Sequence, residues 1–115
     1  MAFTTSLSVA DCIATIFLVG ELDASTANDF KAKIEEAAKY DPKPTKLVLH
    51  MEELDYMASA GLRMLIFSKQ QMGANVTLYV VKPNQMVWET LEKTGFHHSV
   101  KRLEDYDLAA IAQLS

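Results

Sequence analysis

The chain has 115 residues, half of them hydrophobic and 23% charged, so its length and composition predict one globular domain over residues 1–115. A net charge of −4 with only two arginines excludes the dense cationic face that nucleic acids require and the basic surface that attracts anionic membranes. A single cysteine, Cys12, excludes an internal disulfide and a zinc site built on cysteines. No signal peptide or long apolar run is present, so we expect a soluble cytoplasmic protein.

The first half of the chain alternates between strand and helix patterns. Residues 3–9 alternate apolar and polar side chains, and a turn at Asp11 and Cys12 joins them to the β-rich run 13–19, which predicts an opening hairpin. A helix is predicted from Thr26 to about Tyr40, with Asp23 or Ser25 as its cap. The segment 41–44 contains two prolines and breaks the chain.

The second half repeats the alternation with shorter elements. The predicted elements are a buried strand over 46–51, a helix from about Ala60 to Met72, a strand over 76–81 and a helix from Asn84 to Thr94. A short strand over 99–101 follows, and then a final helix that Asp105 caps and that ends at Gln113. Helices between strands require parallel crossovers. The order therefore predicts an α/β fold with a mixed sheet of four to five strands, an antiparallel opening hairpin and about four helices.

Side chains that could carry catalysis are sparse. The four glycines are isolated, so there is no phosphate-binding loop. His97 and His98 are adjacent, and in a strand their rings would point to opposite faces and could not share a metal. His50 ends a predicted strand and is interpreted as a structural residue. We therefore predict no enzymatic activity, no catalytic residue, no metal and no cofactor.

Two loops follow predicted strands and precede helices, residues 20–25 and 54–63. Both are expected at the carboxyl edge of the sheet, where ligands and partners bind. Their segments Gly20-Glu21-Leu22-Asp23-Ala24 and Ala58-Ser59-Ala60-Gly61-Leu62 have the spacing seen in STAS domains. The chain resembles the stand-alone anti-sigma factor antagonists of bacteria over nearly its whole length, which implies a single STAS domain.

The resemblance implies a function. Such an antagonist binds an anti-sigma factor, typically a serine kinase of the histidine-kinase-like ATPase fold, and thereby frees a sigma factor for transcription. The kinase phosphorylates one serine of the antagonist and ends the interaction, and a metal-dependent serine phosphatase reverses the modification. The phosphorylated serine falls on Ser59 and the loop aspartate at the partner edge falls on Asp23. The predicted partner-binding residues are Glu21, Asp23, Ser25, Ala58, Ser59, Gly61, Arg63, Met64 and Phe67.

The position of Ser59 suits a phosphate on physical grounds. It lies at a predicted helix start, where free backbone N–H groups and the helix dipole favour an anion. Arg63, one helical turn on, could pair with that phosphate or with Asp55. The structural alternative is that Ser59 only caps the helix.

The sequence departs from the family pattern at two positions. Ala58 stands where an aspartate usually precedes the serine, and His50 stands where an aspartate often ends the third strand. We therefore expect Ser59 to be phosphorylated slowly or by a divergent kinase.

The helix after Ser59 has apolar residues on two sides. Leu62, Leu65, Ile66 and Met72 form the predicted core stripe, and Ala60, Met64 and Phe67 lie nearly opposite. The second group is either a docking strip for the partner or is covered by the neighbouring helix that carries Val87, Trp88 and Leu91.

Two other functions compete with this interpretation. Asp23 and Ser59 could bind a small ligand or nucleotide in a sensor that uses the same loops, although basic phosphate ligands beyond Arg63 are missing. A hydrolytic set of Asp55, His50 and Ser59 is the least favoured hypothesis.

Overall fold

The computed structural model describes residues 3–114, which form one mixed sheet and four α-helices. The elements are β1 (Thr4–Ala10), β2 (Ile13–Leu22), α1 (Ala27–Ala38), β3 (Lys46–His50), β4 (Leu54–Met57), α2 (Ser59–Met72), β5 (Thr77–Val81), α3 (Gln85–Thr94), β6 (Lys101–Leu103) and α4 (Leu108–Ala112), with a 3₁₀ helix (Phe96–Ser99) before β6.

The strands lie in the order β1-β2-β3-β5-β6, with β1 antiparallel to β2 and the rest of this path parallel. The predicted α/β fold, opening hairpin and four helices are confirmed. The sheet has six strands instead of four to five, because β4 adds to the far end of β2 in parallel.

Alternate residues of the central strands point to two separate cores. Ala14, Ile16 and Leu18 of β2 pack in the larger core with helices α1, α2 and α3. Ile13 of β2 packs in a smaller core on the opposite face, beneath Ile111 of α4. The short apolar run of β3 is buried on both faces, as its sequence predicts.

The hairpin between β1 and β2 closes through two residues. Asp11 and Cys12 both adopt positive φ, 54° and 64°, which a type I′ turn requires, and Ala10 pairs with Ile13 across it. The turn twists with the strands, so the ladder continues without a register shift to Thr4 opposite Val19. The predicted hairpin is thus confirmed in detail.

Two predicted helix caps are wrong. The side chain of Asp107, not Asp105, caps α4 by accepting hydrogen bonds from two first-turn amides. Residue Thr26 occupies the N-cap position of α1, where neither Asp23 nor Ser25 stands, and no side chain bonds a first-turn amide there. Both errors arise because several residues of capping chemistry stand close together before each helix.

The last strand and the histidine pair were also misplaced. β6 begins at Lys101, two residues later than predicted, because residues 96–99 wind into a 3₁₀ helix. His97 and His98 therefore lie side by side with ring centroids 3.9 Å apart, rather than on opposite faces of a strand. No group of three or more metal-ligating side chains occurs within residues 3–114.

Candidate functional site

The two loops singled out in the sequence meet at the carboxyl end of β2. Strand β4 pairs in parallel with the last residues of β2, so that Leu22 lies opposite Met57. The Ala58 amide donates a 2.9 Å hydrogen bond to the Leu22 carbonyl. Asp23 directly follows Leu22 and Ser59 directly follows Ala58, so the two candidate residues leave the sheet at one edge, side by side.

The turn from β2 into α1 is built on Asp23. Its carboxylate accepts hydrogen bonds from the Ser25 hydroxyl at 2.7 Å and the Ser25 amide at 2.9 Å. The Asp23 amide donates to the hydroxyl of Thr26, which in turn donates to the Glu21 carbonyl at 3.0 Å. The hydrogen bond from the Ser25 side chain is the main cause that holds the pKa of Asp23 below its ordinary value, so the turn carries a fixed negative charge.

Ser59 is the first residue of α2 and its side chain is exposed. Ala58 occupies the N-cap position with an extended backbone, and its carbonyl accepts the amides of Gly61 and Leu62. The amides of Ser59 and Ala60 are left without a partner from the helix itself. Within residues 3–114 the Ser59 hydroxyl forms no hydrogen bond, so the alternative that Ser59 merely caps the helix is wrong.

Gly61 faces inward and sets how closely α2 approaches the strands. A Cβ at this position would lie 2.7 Å from Cγ of Met57 and 2.8 Å from Cγ of Leu22. Both neighbours are buried, so neither can move away freely. Gly61 therefore supports the site from beneath, and its place in the motif has a steric reason.

The exposed face of α2, defined here as Ser59, Arg63 and Ile66, rises from the site. These residues follow at intervals of four and three, which places them on one side of a helix. Arg63 forms no ion pair with any residue of 3–114, so the predicted pair with Asp55 is not formed. The Ile66 side chain is 37% exposed. Its assignment to the core stripe is therefore wrong.

Met64 and Phe67 lie on the flank of α2 and are half-buried against the main core. The helix beside them is α1, since the Lys31 ammonium stands 5.5 Å above the Phe67 ring. The alternative in which the helix with Val87, Trp88 and Leu91 covers them is thus wrong, because the neighbouring helix is α1. α1 leaves both residues partly exposed, so the docking strip remains a prediction.

The other predicted partner-binding residues lie around the same edge. Glu21 is half-buried and pairs with Tyr56 of β4, and Ser25 is exposed. Tyr56 is 45% exposed at the same edge, and the sequence does not indicate it because β4 lacks the alternation of a strand. Strand β4 is held in place by the Asn84 side chain, which donates to the carbonyls of Leu54 and Asp55 while its oxygen caps α3.

The hydrolytic set of Asp55, His50 and Ser59 is not assembled. His50 points to the smaller core, where its ring contacts Phe17 and Tyr106 at centroid distances of 5.0 and 5.2 Å. Burial there lowers the pKa of His50, against the opposing effect of Glu52. Ser59 starts a helix on the opposite face of the sheet, so the hypothesis of a hydrolase on these residues is wrong.

Three surface hollows of about 290, 440 and 260 Å³ lie elsewhere on the chain, and none of the three is lined by Asp23 or Ser59. The ligand-sensor alternative thus gains no support from them. Within residues 3–114, every helix is too short or too polar to cross a membrane.

A family model described as the STAS domain matches residues 5–109, so the chain belongs to the STAS domain family. It is 35% identical over 82 residues, 69% of this chain and 67% of the other, to BtrV of Bordetella bronchiseptica, which carries the name of an anti-sigma factor antagonist. The fold matches that of an anti-sigma factor antagonist from Mycobacterium paratuberculosis with a TM-score of 0.83 and 22% identity, over 96% of this chain and 93% of that one. It also matches the Bacillus protein SpoIIAA in its phosphorylated form, with a TM-score of 0.71 and 21% identity over 99% of this chain and the whole of the other.

Proposed function

We propose that this protein is an anti-sigma factor antagonist that is switched off by phosphorylation of Ser59. It binds an anti-sigma factor through the turn at Asp23 and the exposed face of α2, in the bacterial cytoplasm. The observation that carries this proposal is the Ser59 hydroxyl, which is exposed and free of hydrogen bonds within residues 3–114, beside a turn of fixed negative charge. The names of the relatives support the same class of function.

In this role the protein is a substrate of an enzyme and not an enzyme. The anti-sigma factor is a serine kinase with the histidine-kinase-like ATPase fold. The Ser59 oxygen attacks the γ-phosphorus of ATP, its proton passes to a base of the kinase, and ADP leaves with the electrons of the broken P–O bond. A metal-dependent phosphatase hydrolyses the phosphoserine and restores the binding form.

The geometry around Ser59 explains how one phosphate ends the interaction without unfolding the antagonist. The first-turn amides and the helix dipole stabilise an anion at the start of α2. Arg63, one turn on, can pair with the phosphate because it has no partner among residues 3–114. The fold thus tolerates about −1.5 to −2 added charges. The binding surface does not tolerate the added phosphate, because the phosphate adds bulk and repulsion where the kinase must pack.

Ala58 affects the rate of the modification. An aspartate at this N-cap position would accept a first-turn amide and place a second carboxylate beside Ser59, and alanine does neither. We therefore propose that Ser59 is phosphorylated slowly, or by a kinase that does not read a carboxylate at position 58. Replacement of Ala58 by Asp should speed the reaction if the first explanation holds.

The proposal is tested by affinity capture from the source bacterium with the wild type and with Ser59→Asp as baits, followed by mass spectrometry. The expected result is a histidine-kinase-like ATPase that the wild type retains and Ser59→Asp does not. Ser99→Asp is the matched control, since Ser99 is also exposed but lies in the 3₁₀ helix before β6, at the opposite edge of the sheet from Ser59.

The retained ATPase is then incubated with the antagonist and ATP. Phosphate is expected on Ser59 of the wild type and of Ser99→Asp, and absent from Ser59→Ala. Retention of the same ATPase by Ser59→Asp, or phosphate on another residue, would contradict the proposal.

A further inference from the structure

The two edges of the sheet differ in how well they are protected from other strands. β6 is three residues long and carries Lys101 and Arg102, and short, cationic edge strands resist pairing with a second chain. β1 is seven residues long, and none of them is charged or a proline. Its ladder with β2 has no bulge that would twist the edge away. One edge is thus protected, and the other has the features of a pairing edge.

The register of the hairpin identifies the backbone groups on the open side of β1. Ala10 and Ile13 close a two-residue turn, and such a closing pair exchanges both of its hydrogen bonds. Bonding to β2 then alternates along the strand. The N–H and C=O groups of Thr5, Leu7 and Val9 consequently point outward. Within residues 3–114, no backbone hydrogen bond from a turn, loop or helix reaches them.

We propose that β1 is a homodimer interface, in which it pairs antiparallel with β1 of a second copy across a two-fold axis at Leu7. In this register Thr5 lies opposite Val9 of the second copy, and Leu7 lies opposite Leu7. All the outward groups of the three residues then find partners, which gives six hydrogen bonds. Because the strand is uncharged, the pairing sets no like charges of the two β1 strands against each other. A two-fold interface must be self-complementary, and the β1 edge is self-complementary in this register.

The surroundings of β1 fit the same two-fold arrangement. A hollow of about 440 Å³ lies at its amino end, lined by Phe3, Thr4 and Thr5 of the strand end and by residues of α1. At its carboxyl end stands Tyr40, 46% exposed. Antiparallel pairing brings the amino end of each β1 alongside the carboxyl end of the other. The exposed ring of each copy is thereby brought towards the hollow of the other.

The interface contains neither Ser59 nor the exposed face of α2. β1 lies on the outer side of β2, and Ser59 begins a helix that follows β4. Self-association therefore does not depend on Ser59 or on an anti-sigma factor. Failure of the dimer and failure of the proposed switch can be told apart.

The test is sedimentation equilibrium of the purified chain from about 10 μM to about 1 mM, the range in which small interfaces associate. We expect the mass to rise from 12.8 kDa towards twice that value. Ser6 and Ser8 are exposed and lie opposite each other across the proposed axis. The double variant Ser6→Lys/Ser8→Lys should raise the dimer Kd at least tenfold, since it sets lysine against lysine.

The matched control is Ser6→Lys/Ser8→Glu, which sets lysine against glutamate in this register alone and should restore the wild-type Kd or lower it. A wild type that stays monomeric throughout, a Lys/Lys variant that dimerises like the wild type, or a Lys/Glu variant that does not restore association would each overturn the proposal.

A second measurement is independent of charge. In a Cys12→Ser background, Ser6→Cys/Ser8→Cys should give an interchain disulfide on mild oxidation. Residues opposite each other at a non-hydrogen-bonded position have the closest Cβ atoms of a ladder, about 4.5 Å apart, which a disulfide can span. Thr4→Cys/Ser8→Cys places its cysteines on the same face but out of register and should not. Equal crosslinking of the two pairs would refute the register.

Discussion

Gly61 shows how one residue of the motif acts through packing rather than chemistry. Its hydrogen atom lies where a methyl group would collide with Leu22 of β2 and Met57 of β4. These strand ends are the ones that position Asp23 and Ser59. The residue that brings α2 down onto the sheet thereby also fixes the place of the proposed phosphorylation site.

We predict that Gly61→Ala destabilises the protein. Alanine gains about 1 kcal/mol of helix propensity. Overpacking against two buried side chains costs about 1–3 kcal/mol, so the expected result is a net loss of up to about 2 kcal/mol in urea unfolding. Gln70→Ala, on an exposed position of the same helix, should change the free energy of unfolding by no more than about 0.5 kcal/mol. A Gly61→Ala protein about 1 kcal/mol more stable than the wild type would show that α2 can shift without cost and would contradict the prediction.

His50 gives a prediction about pH. Its folded pKa lies below the ordinary 6.5, chiefly through burial, so the unfolded chain takes up a proton first as the pH falls. The contribution of His50 to the free energy of unfolding is therefore fully present above about pH 6.5 and is lost as the pH falls through the folded pKa. We expect His50→Asn to weaken this decrease. Glu52→Gln should strengthen it, because Glu52 acts to raise the pKa of His50. Urea titrations at a series of pH values measure both, and an unchanged slope in His50→Asn would contradict the assignment.

Among the elements, α2 shows the clearest difference between the buried residues that the sequence predicts and those that the structure has. The sequence places Ile66 in the core stripe with Leu62 and Leu65 because all three are apolar. The buried stripe in fact includes Gly61 and Ser68, whose Oγ donates to the Leu65 carbonyl at 2.6 Å. Burial of these two rotates the stripe away from Ile66. A pattern of hydrophobicity does not detect a buried glycine or a self-satisfied serine.

Strand β4 was missed for a related reason. Its residues Leu54 and Met57 are buried and the two between them are exposed, which is not the alternation that indicates a strand. It exists because the end of β2 offers it a partner. By contrast, β2, β3 and β5 carry β-rich apolar runs that are separated by helix patterns and turn residues. Their order along the chain and the α/β fold could therefore be predicted from sequence. The proximity of Asp23 and Ser59 could be predicted as two loops at one edge, but its cause, the β2–β4 pairing, could not.

The two sides of α2 lead to different predictions. Ile66→Glu should leave the free energy of unfolding within about 0.5 kcal/mol of wild type, because the side chain is exposed. It should weaken binding to the anti-sigma factor at least about tenfold, near 1.4 kcal/mol. Met64→Glu should weaken binding too, but at a loss of about 1–3 kcal/mol in stability, because its side chain packs against the core.

The matched control for both is Gln70→Glu, further along the exposed side of α2. It should leave both binding and stability unchanged. If Ile66→Glu binds like the wild type, the exposed face of α2 is not part of the docking surface. If Met64→Glu folds and binds normally, the docking strip at Met64 is excluded.

On the scale of the whole molecule, the net charge is small, so one phosphate changes it by a large fraction. The chain carries −4 formally, and one phosphoserine adds about −1.5 to −2. Arg63, one of only two arginines, lies one helical turn from Ser59 and forms no ion pair within residues 3–114. The proposed modification therefore changes the field at the carboxyl edge of the sheet, where Asp23 is already held ionised.

The central claim is that phosphate on Ser59 alone turns binding off. The most direct measurement compares two Kd values of the captured anti-sigma factor, one for the unphosphorylated antagonist and one for the same protein phosphorylated stoichiometrically on Ser59. Both are measured at the same salt concentration. We predict a Kd at least about tenfold higher for the phosphorylated form, with both forms folded by circular dichroism. Equal Kd values for two folded forms would contradict the account.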